Sequence, residues 1–334
     1  MNDLGELVEA GDMNALLRAV DGLCARRSWD ELLDLADMCE DAVERGKQLW
    51  PIAAHIDYRI ALGAPGEYAA GVLEPKAARF AHGPLTEVAA STHTWGELAP
   101  HIEAPQVAAY VAGERVLRGE HLDGDERAHP EFLELPLTLA PWEPTYALAT
   151  FYSDHVEVAE PWEPRAATEE EDLRSADVLD EPGMVSALLD LVAPWTSESN
   201  GAAQAVVVEG DAVAAASALT LHTLRIGPLT FDEAIQRMAW AAASGGAHGR
   251  RRGAAAGRFF AWATAALVAD EPWPPDPGAL GRAGESLRWF RWDEGEPEKG
   301  WVLRIAVEDP AHGWAAALAA TDLLEDDEAS SADD

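Results

Sequence analysis

The tetrapeptide Pro-Trp-Glu-Pro occurs twice, at 141–144 and 161–164, and the hydrophobic pattern differs on its two sides. Proline fixes φ and removes a backbone donor, so these two brackets limit where helices and strands can run. Between them lie two short β-rich runs, Tyr146–Tyr152 and His155–Ala159, joined through Ser153-Asp154, which read as a hairpin. The first 120 residues carry helical periodicity. Leu32, Leu33, Leu35, Ala36 and Cys39 fall on one stripe of a helix expected from Ser28 to Gly46. Its opening, Ser28-Trp29-Asp30-Glu31-Leu32, has capping-box spacing and recurs as Thr94-Trp95-Gly96-Glu97-Leu98. That offset suggests a helical array with repeat-like spacing.

After the second bracket the pattern alternates. A charge run at Thr168-Glu169-Glu170-Glu171-Asp172 is expected to cap a helix or form a linker. Ala205–Val208 reads as a strand, Asp211–Leu219 as a helix of small residues and Thr223–Ile226 as an extended run. A capping box at Thr230–Glu233 leads a helix through Trp240, and 253–269 forms a second one. Strands are expected at Leu287–Trp292 and Trp301–Val307, with a last helix over Trp314–Leu324. The fold class is therefore α+β or α/β: an N-terminal α-helical array followed by a mixed α/β domain. The expected segments are a helical domain at 1–125, a hairpin and acidic linker at 126–180, the mixed domain at 181–324 and a disordered acidic tail at 325–334.

Composition narrows the function. The 334 residues hold 60 Asp and Glu against 24 Lys and Arg, a net charge of −36. A field of that sign argues against general nucleic-acid or anionic-membrane binding. The longest apolar run, near Phe259–Ala269, is about half of what a membrane span needs. No basic leader precedes an apolar core, and Cys24 and Cys39 have no metal or redox spacing. A cytoplasmic location with buried thiols follows as the expectation. Only three lysines occur among the basic residues, a bias expected of a high-GC genome or, alternatively, of a salt-adapted proteome.

The charge is uneven. From Ala234 to Ala269 there is no acid, while Arg237, Arg250, Arg251, Arg252 and Arg258 supply five positive charges. The centre of this stretch is Ser244-Gly245-Gly246-Ala247-His248-Gly249-Arg250-Arg251-Arg252-Gly253. Glycines before a helix start let a ligand approach the backbone, and an arginine fork can hold a phosphate or carboxylate. His248, Arg250, Arg251, Arg252, Gly253 and Arg258 are therefore the candidate anion- or partner-binding residues. Pairing with internal carboxylates competes with that role, and Gly253 and Gly257 have the G-x-x-x-G spacing of closely packed helices. Neither a Walker loop nor a dinucleotide fingerprint is present.

Trp289 and Trp292 are candidate aromatic contacts with a partner; core packing is the alternative. His121, Asp123, Asp125, Glu126 and His129 cluster without a metal-ligand spacing, so no metal is expected. His82, His93 and His101 read as surface or satisfied histidines. Glu209 and Asp211 end a strand where α/β sites gather, with Asp211 as a helix cap the simpler role. Nothing matches a nucleophile elbow.

Residues from about Trp240 to Asp322 resemble a family of actinobacterial proteins of unknown function. Three segments carry the likeness: Ala243 through Ala255, Leu287-Arg288-Trp289, and Arg304-Ile305-Ala306-Val307-Glu308-Asp309-Pro310. The resemblance implies no activity, cofactor or catalytic residue. The expectation that remains is a non-enzymatic protein–protein interaction or scaffold protein without a cofactor. The alternatives are a binding domain or enzyme for a phosphate- or carboxylate-bearing molecule at 245–258, and an acidic mimic of DNA.

Overall fold

The computed structural model describes residues 4–73, 83–161, 163–295 and 299–323. Two compact units divide the chain: Met1–Leu133 with Ala149–Glu157, and Glu134–Leu148 with Val158–Asp334. The tail expected at 325–334 and His82 lie outside the described residues.

The first unit is helical: α1 (Leu4–Ala10), α2 (Met13–Arg26), α3 (Trp29–Glu44), α4 (Trp50–Gly63), α5 (Gly66–Gly71), α6 (Leu85–Thr92), α7 (Trp95–Leu98) and α8 (Pro105–Leu117). Helix α2 starts on Asp12, whose carboxylate accepts the Ala15 N–H, and buries Leu16, Val20 and Leu23 on one stripe. In α3 the expected stripe is buried at Leu32, Leu35, Ala36 and Cys39, while Leu33 is half-buried. The two matching pentapeptides have different fates. Thr94 and Glu97 close a full capping box on the four-residue α7. Ser28 makes no side-chain cap for the 16-residue α3. The 66-residue offset is thus a likeness of helix starts, not of helical units. Strands β1 (Ala149–Phe151) and β2 (Val156–Val158) form the expected two-stranded sheet, closed by the Tyr152 N–H on the His155 carbonyl at 2.9 Å. Tyr58 anchors it by donating its hydroxyl to the Tyr152 carbonyl.

In the second unit, six strands form an antiparallel sheet in the order β3-β5-β6-β7-β8-β4. They are β3 (Glu169–Glu171), β4 (Ala202–Glu209), β5 (Leu224–Leu229), β6 (Arg288–Asp293), β7 (Trp301–Asp309) and β8 (Trp314–Asp322). The helices are α9 (Pro182–Asp190), α10 (Ala193–Ser197), α11 (Ala212–Ser217), α12 (Phe231–Ala243), α13 (Ala254–Val268) and α14 (Pro277–Ser286). Helix α11 carries the chain from β4 at one edge to β5 near the other, across one face of the sheet. Trp292 packs with Ala212, Ala214, Ala215 and Ala216 on that face. Three positions away, and so on the opposite face, Trp289 meets Phe231 of α12 with ring centroids 5.7 Å apart.

Two expectations are corrected. The charge run at Thr168–Asp172 neither caps a helix nor links domains: Glu169–Glu171 is an edge strand paired with Leu224–Ile226. Three glutamates suit an edge, since charge there blocks pairing with another chain. The expected helix at Trp314–Leu324 is β8, paired along its length with both β4 and β7. Alanine favours helix in isolation, but Ala315 and Ala317 face the alanines of α11, where small side chains let helix and sheet approach closely. Helices α9 and α14 were absent from the sequence expectation.

Candidate functional site

The glycine–arginine loop runs from Ser244, at the end of α12, to Gly253, which precedes α13 with φ +94°. Most of its backbone donors already have acceptors. Gly246 N–H donates to Ser244 Oγ at 3.0 Å, Ala247 N–H to Asp322 Oδ2 at 2.6 Å and His248 N–H to Ser199 Oγ at 3.0 Å. Arg250 N–H donates to Glu198 Oε2 at 3.1 Å. Arg252 and Gly253 N–H both reach the Ala243 carbonyl, at 2.9 and 3.3 Å. Gly246, at φ +71°, is obligatory here: a Cβ would lie 2.1 Å from Asp322 Oδ2. The acid-free segment thus receives its carboxylates from Asp322 and Glu198, and the donors expected to cradle an external anion are occupied internally.

The side chains divide. His248 and Arg250 are exposed, and Arg251 is partly so. Arg252 donates to the Asp190 carbonyl at 3.0 Å and lies over the Phe260 ring, 4.4 Å from its centroid. Arg258 is interior, 1% exposed, and paired with Glu143. Its Nε and Nη2 reach the two carboxylate oxygens at 2.7 and 2.8 Å, and its remaining bonds go to the Pro136 and Thr138 carbonyls. Glu143 also accepts from Trp262 Nε1 at 3.0 Å, Tyr146 Oη at 2.5 Å and Ala140 N–H at 2.8 Å. Burial, then the Glu143 charge, raises the Tyr146 phenol well above its ordinary range, so it stays a donor. Arg258 is corrected from ligand contact to internal partner, because a buried guanidinium needs this carboxylate.

Trp289 and Trp292 are each 2% exposed and belong to the two faces of the sheet, so neither ring reaches a partner's surface. An exposed-looking pair of tryptophans on a strand becomes interior once both faces are covered. Asp211 caps α11, with its Oδ1 accepting the Ala214 N–H at 2.9 Å. His93 is buried, its ring nitrogens 3.0 and 2.7 Å from the Ala89 and Ala64 carbonyl oxygens, while His101 is exposed. Asp125 caps the turn at 126–128, and the Arg127 guanidinium, then the Trp95 indole N–H, holds its carboxyl far below the usual range. His129 pairs with Glu131 at 3.0 Å. Among the described residues, no three His, Cys, Asp or Glu side chains gather as a metal site. Burial lifts the Cys39 thiol to about 11 and raises Cys24 as well, so both are free but protonated at neutral pH.

Sequence reasoning passed over a concave feature in this unit. A cleft of about 720 Å³ is lined by Pro141, Trp142 and Glu143, by Pro228–Asp232, and by Glu285 with Leu287–Phe290. The first Pro-Trp-Glu-Pro bracket supplies Trp142 to the wall and Glu143 to the buried pair, so the repeated motif was the available signal. Its second copy differs: Glu163 is exposed and 3.6 Å from Arg291.

Among the described residues, no helix is long and apolar enough to cross a membrane. No curated protein and no solved structure matches the chain. A family model described as a family of unknown function (DUF6183) matches residues 14–323, far beyond the C-terminal stretch that first suggested a resemblance.

Proposed function

The chain belongs to the DUF6183 family, whose function is unknown, and on that footing we propose that it is a non-enzymatic protein–protein interaction protein. Its contact is the glycine–arginine loop, and its partner presents a short acidic segment. The observation that carries this reading is the pinned loop: internal acceptors hold its backbone in one conformation, and the exposed residues His248 and Arg250 lie on it. A rigid loop loses little entropy on binding, and arginine pairs well with carboxylates. A small-anion cradle is the weaker reading, because a ligand would have to displace Asp322 or Glu198 from the N–H groups.

A glutamate-rich peptide provides the test at about 0.15 M salt, where a Debye length of about 8 Å mutes the net charge. Binding is expected in the wild type and is lost in Arg250→Glu. A rise in thermal midpoint with inorganic phosphate alone, also lost in that variant, transfers the assignment to the small anion. If neither probe binds, the loop has no such role.

A further inference from the structure

We propose that two copies of this chain associate through the solvent face of α13, the two helices packing antiparallel across a two-fold axis. The inference is separate from the reading of the loop, since it needs neither His248 nor Arg250. A helix at a protein surface turns an apolar stripe inward and polar residues outward. Helix α13 does the reverse with its polar groups. Its one charged residue, Arg258, and its one hydroxyl, on Thr264, are both buried. The positions left toward solvent include Phe259, Phe260, Ala263 and Leu267, with Leu267 43% exposed. Phe260, Ala263 and Leu267 follow helical spacing and so form one ridge. Trp273, itself 37% exposed, broadens it: its ring is 5.4 Å from that of Phe259, which is 5.3 Å from that of Phe260. A contiguous apolar surface of this kind marks an interaction face.

Charge identifies the occupant. At −36, one copy repels another, and the repulsion is least where Ala234–Ala269 supplies no acid. The two ends of α13 carry opposite signs. Arg252 stands before the helix, its guanidinium 4.4 Å from the Phe260 ring centroid, and Asp270 and Glu271 follow the last turn. An antiparallel pair therefore sets each Arg252 toward the other copy's Asp270 and Glu271, twice by symmetry, and opposes the helix dipoles favourably. Ala263 near the crossing lets the axes approach, and Leu267 of each copy meets Phe260 of the other. A partner segment of one charge sign would match one end and be repelled at the other. A contact built on one helix pair falls at the low end of specific interfaces, about 1,200 Å² in total, so a micromolar dissociation constant is expected.

Sedimentation velocity of the full chain provides the test, from low to high micromolar protein in about 0.15 M salt, where screening limits the repulsion between copies. A monomer–dimer equilibrium is expected. Leu267→Glu, at an exposed position, should weaken it about tenfold or more. Leu221→Glu, at a 93% exposed leucine between α11 and β5, should leave it unchanged. Arg252→Glu and Asp270→Arg should each weaken self-association, and an equimolar mixture of the two should form a mixed dimer. Only the mixed pair restores opposite charges at both ends, and circular dichroism checks that each variant is folded. A chain that stays monomeric throughout, a dimer indifferent to Leu267→Glu, an equal loss in Leu221→Glu, or no mixed dimer between folded variants overturns the proposal.

Discussion

Glu143 accepts five hydrogen bonds, from Arg258, Trp262, Tyr146 and the Ala140 backbone, with no side-chain exposure. Such a carboxylate is held by donors from several parts of the second unit and has no lone pair to spare for chemistry. Replacing it leaves a buried guanidinium without its counter-ion, a loss of about 3–5 kcal/mol for a broken interior pair. Glu143→Gln is therefore expected to lower unfolding stability by that amount in urea; a loss below about 1 kcal/mol would show that the pair is not structural. At Asp125 the sign runs through pH. Its folded carboxyl is depressed by Arg127 and Trp95, so its contribution is present above the unfolded value of about 3.9 and fades as pH falls toward the folded one. Acid titration of the first unit should become shallower below about pH 4 in Asp125→Asn. The clustering of charged residues near 121–129 is visible in the sequence; which guanidinium and which indole hold Asp125 is decided by folding.

Helices α12 and α13 pack on Gly257, whose added Cβ would lie 2.3 Å from the Ala239 carbonyl. That neighbour is backbone and cannot swing aside. Gly257→Ala is therefore expected to cost about 1–3 kcal/mol in chemical denaturation through overpacking. Gly284→Ala meets the Phe231 ring, which yields only by shifting against the Trp142 and Trp289 rings packed on it, and should cost less than a clash with backbone. A reversed order would mean that the α12–α13 contact is looser than the structure shows. The G-x-x-x-G spacing was legible as a helix contact, as were the capping boxes at Thr94 and Thr230, because these are local patterns. The alanine-rich strand β8 and the glutamate strand β3 were not. Their local preferences point elsewhere, and only pairing with β4, β5 and β7 overrides them.

At the scale of the whole molecule, a net charge of −36 opposes compaction. Raising salt from about 10 mM to about 150 mM shortens the Debye length from about 30 Å to about 8 Å and should raise the thermal midpoint. An unchanged or lower midpoint would show that ion pairs such as Arg304–Glu294, at 2.6 Å, outweigh the repulsion. What the sequence by itself determined is set by neighbours along the chain: the helical first unit, the mixed second one, the two Pro-Trp-Glu-Pro brackets and the acid-free stretch. What only the tertiary structure decided depends on residues far apart in sequence. Arg258 turned inward because Glu143 waits there, Trp289 and Trp292 went into the core because helices cover both faces, and the cleft exists because residues 141–143, 228–232 and 285–290 meet. A side chain's partner across more than a hundred residues leaves no periodicity to read, since burial and charge compensation are properties of packing and not of spacing.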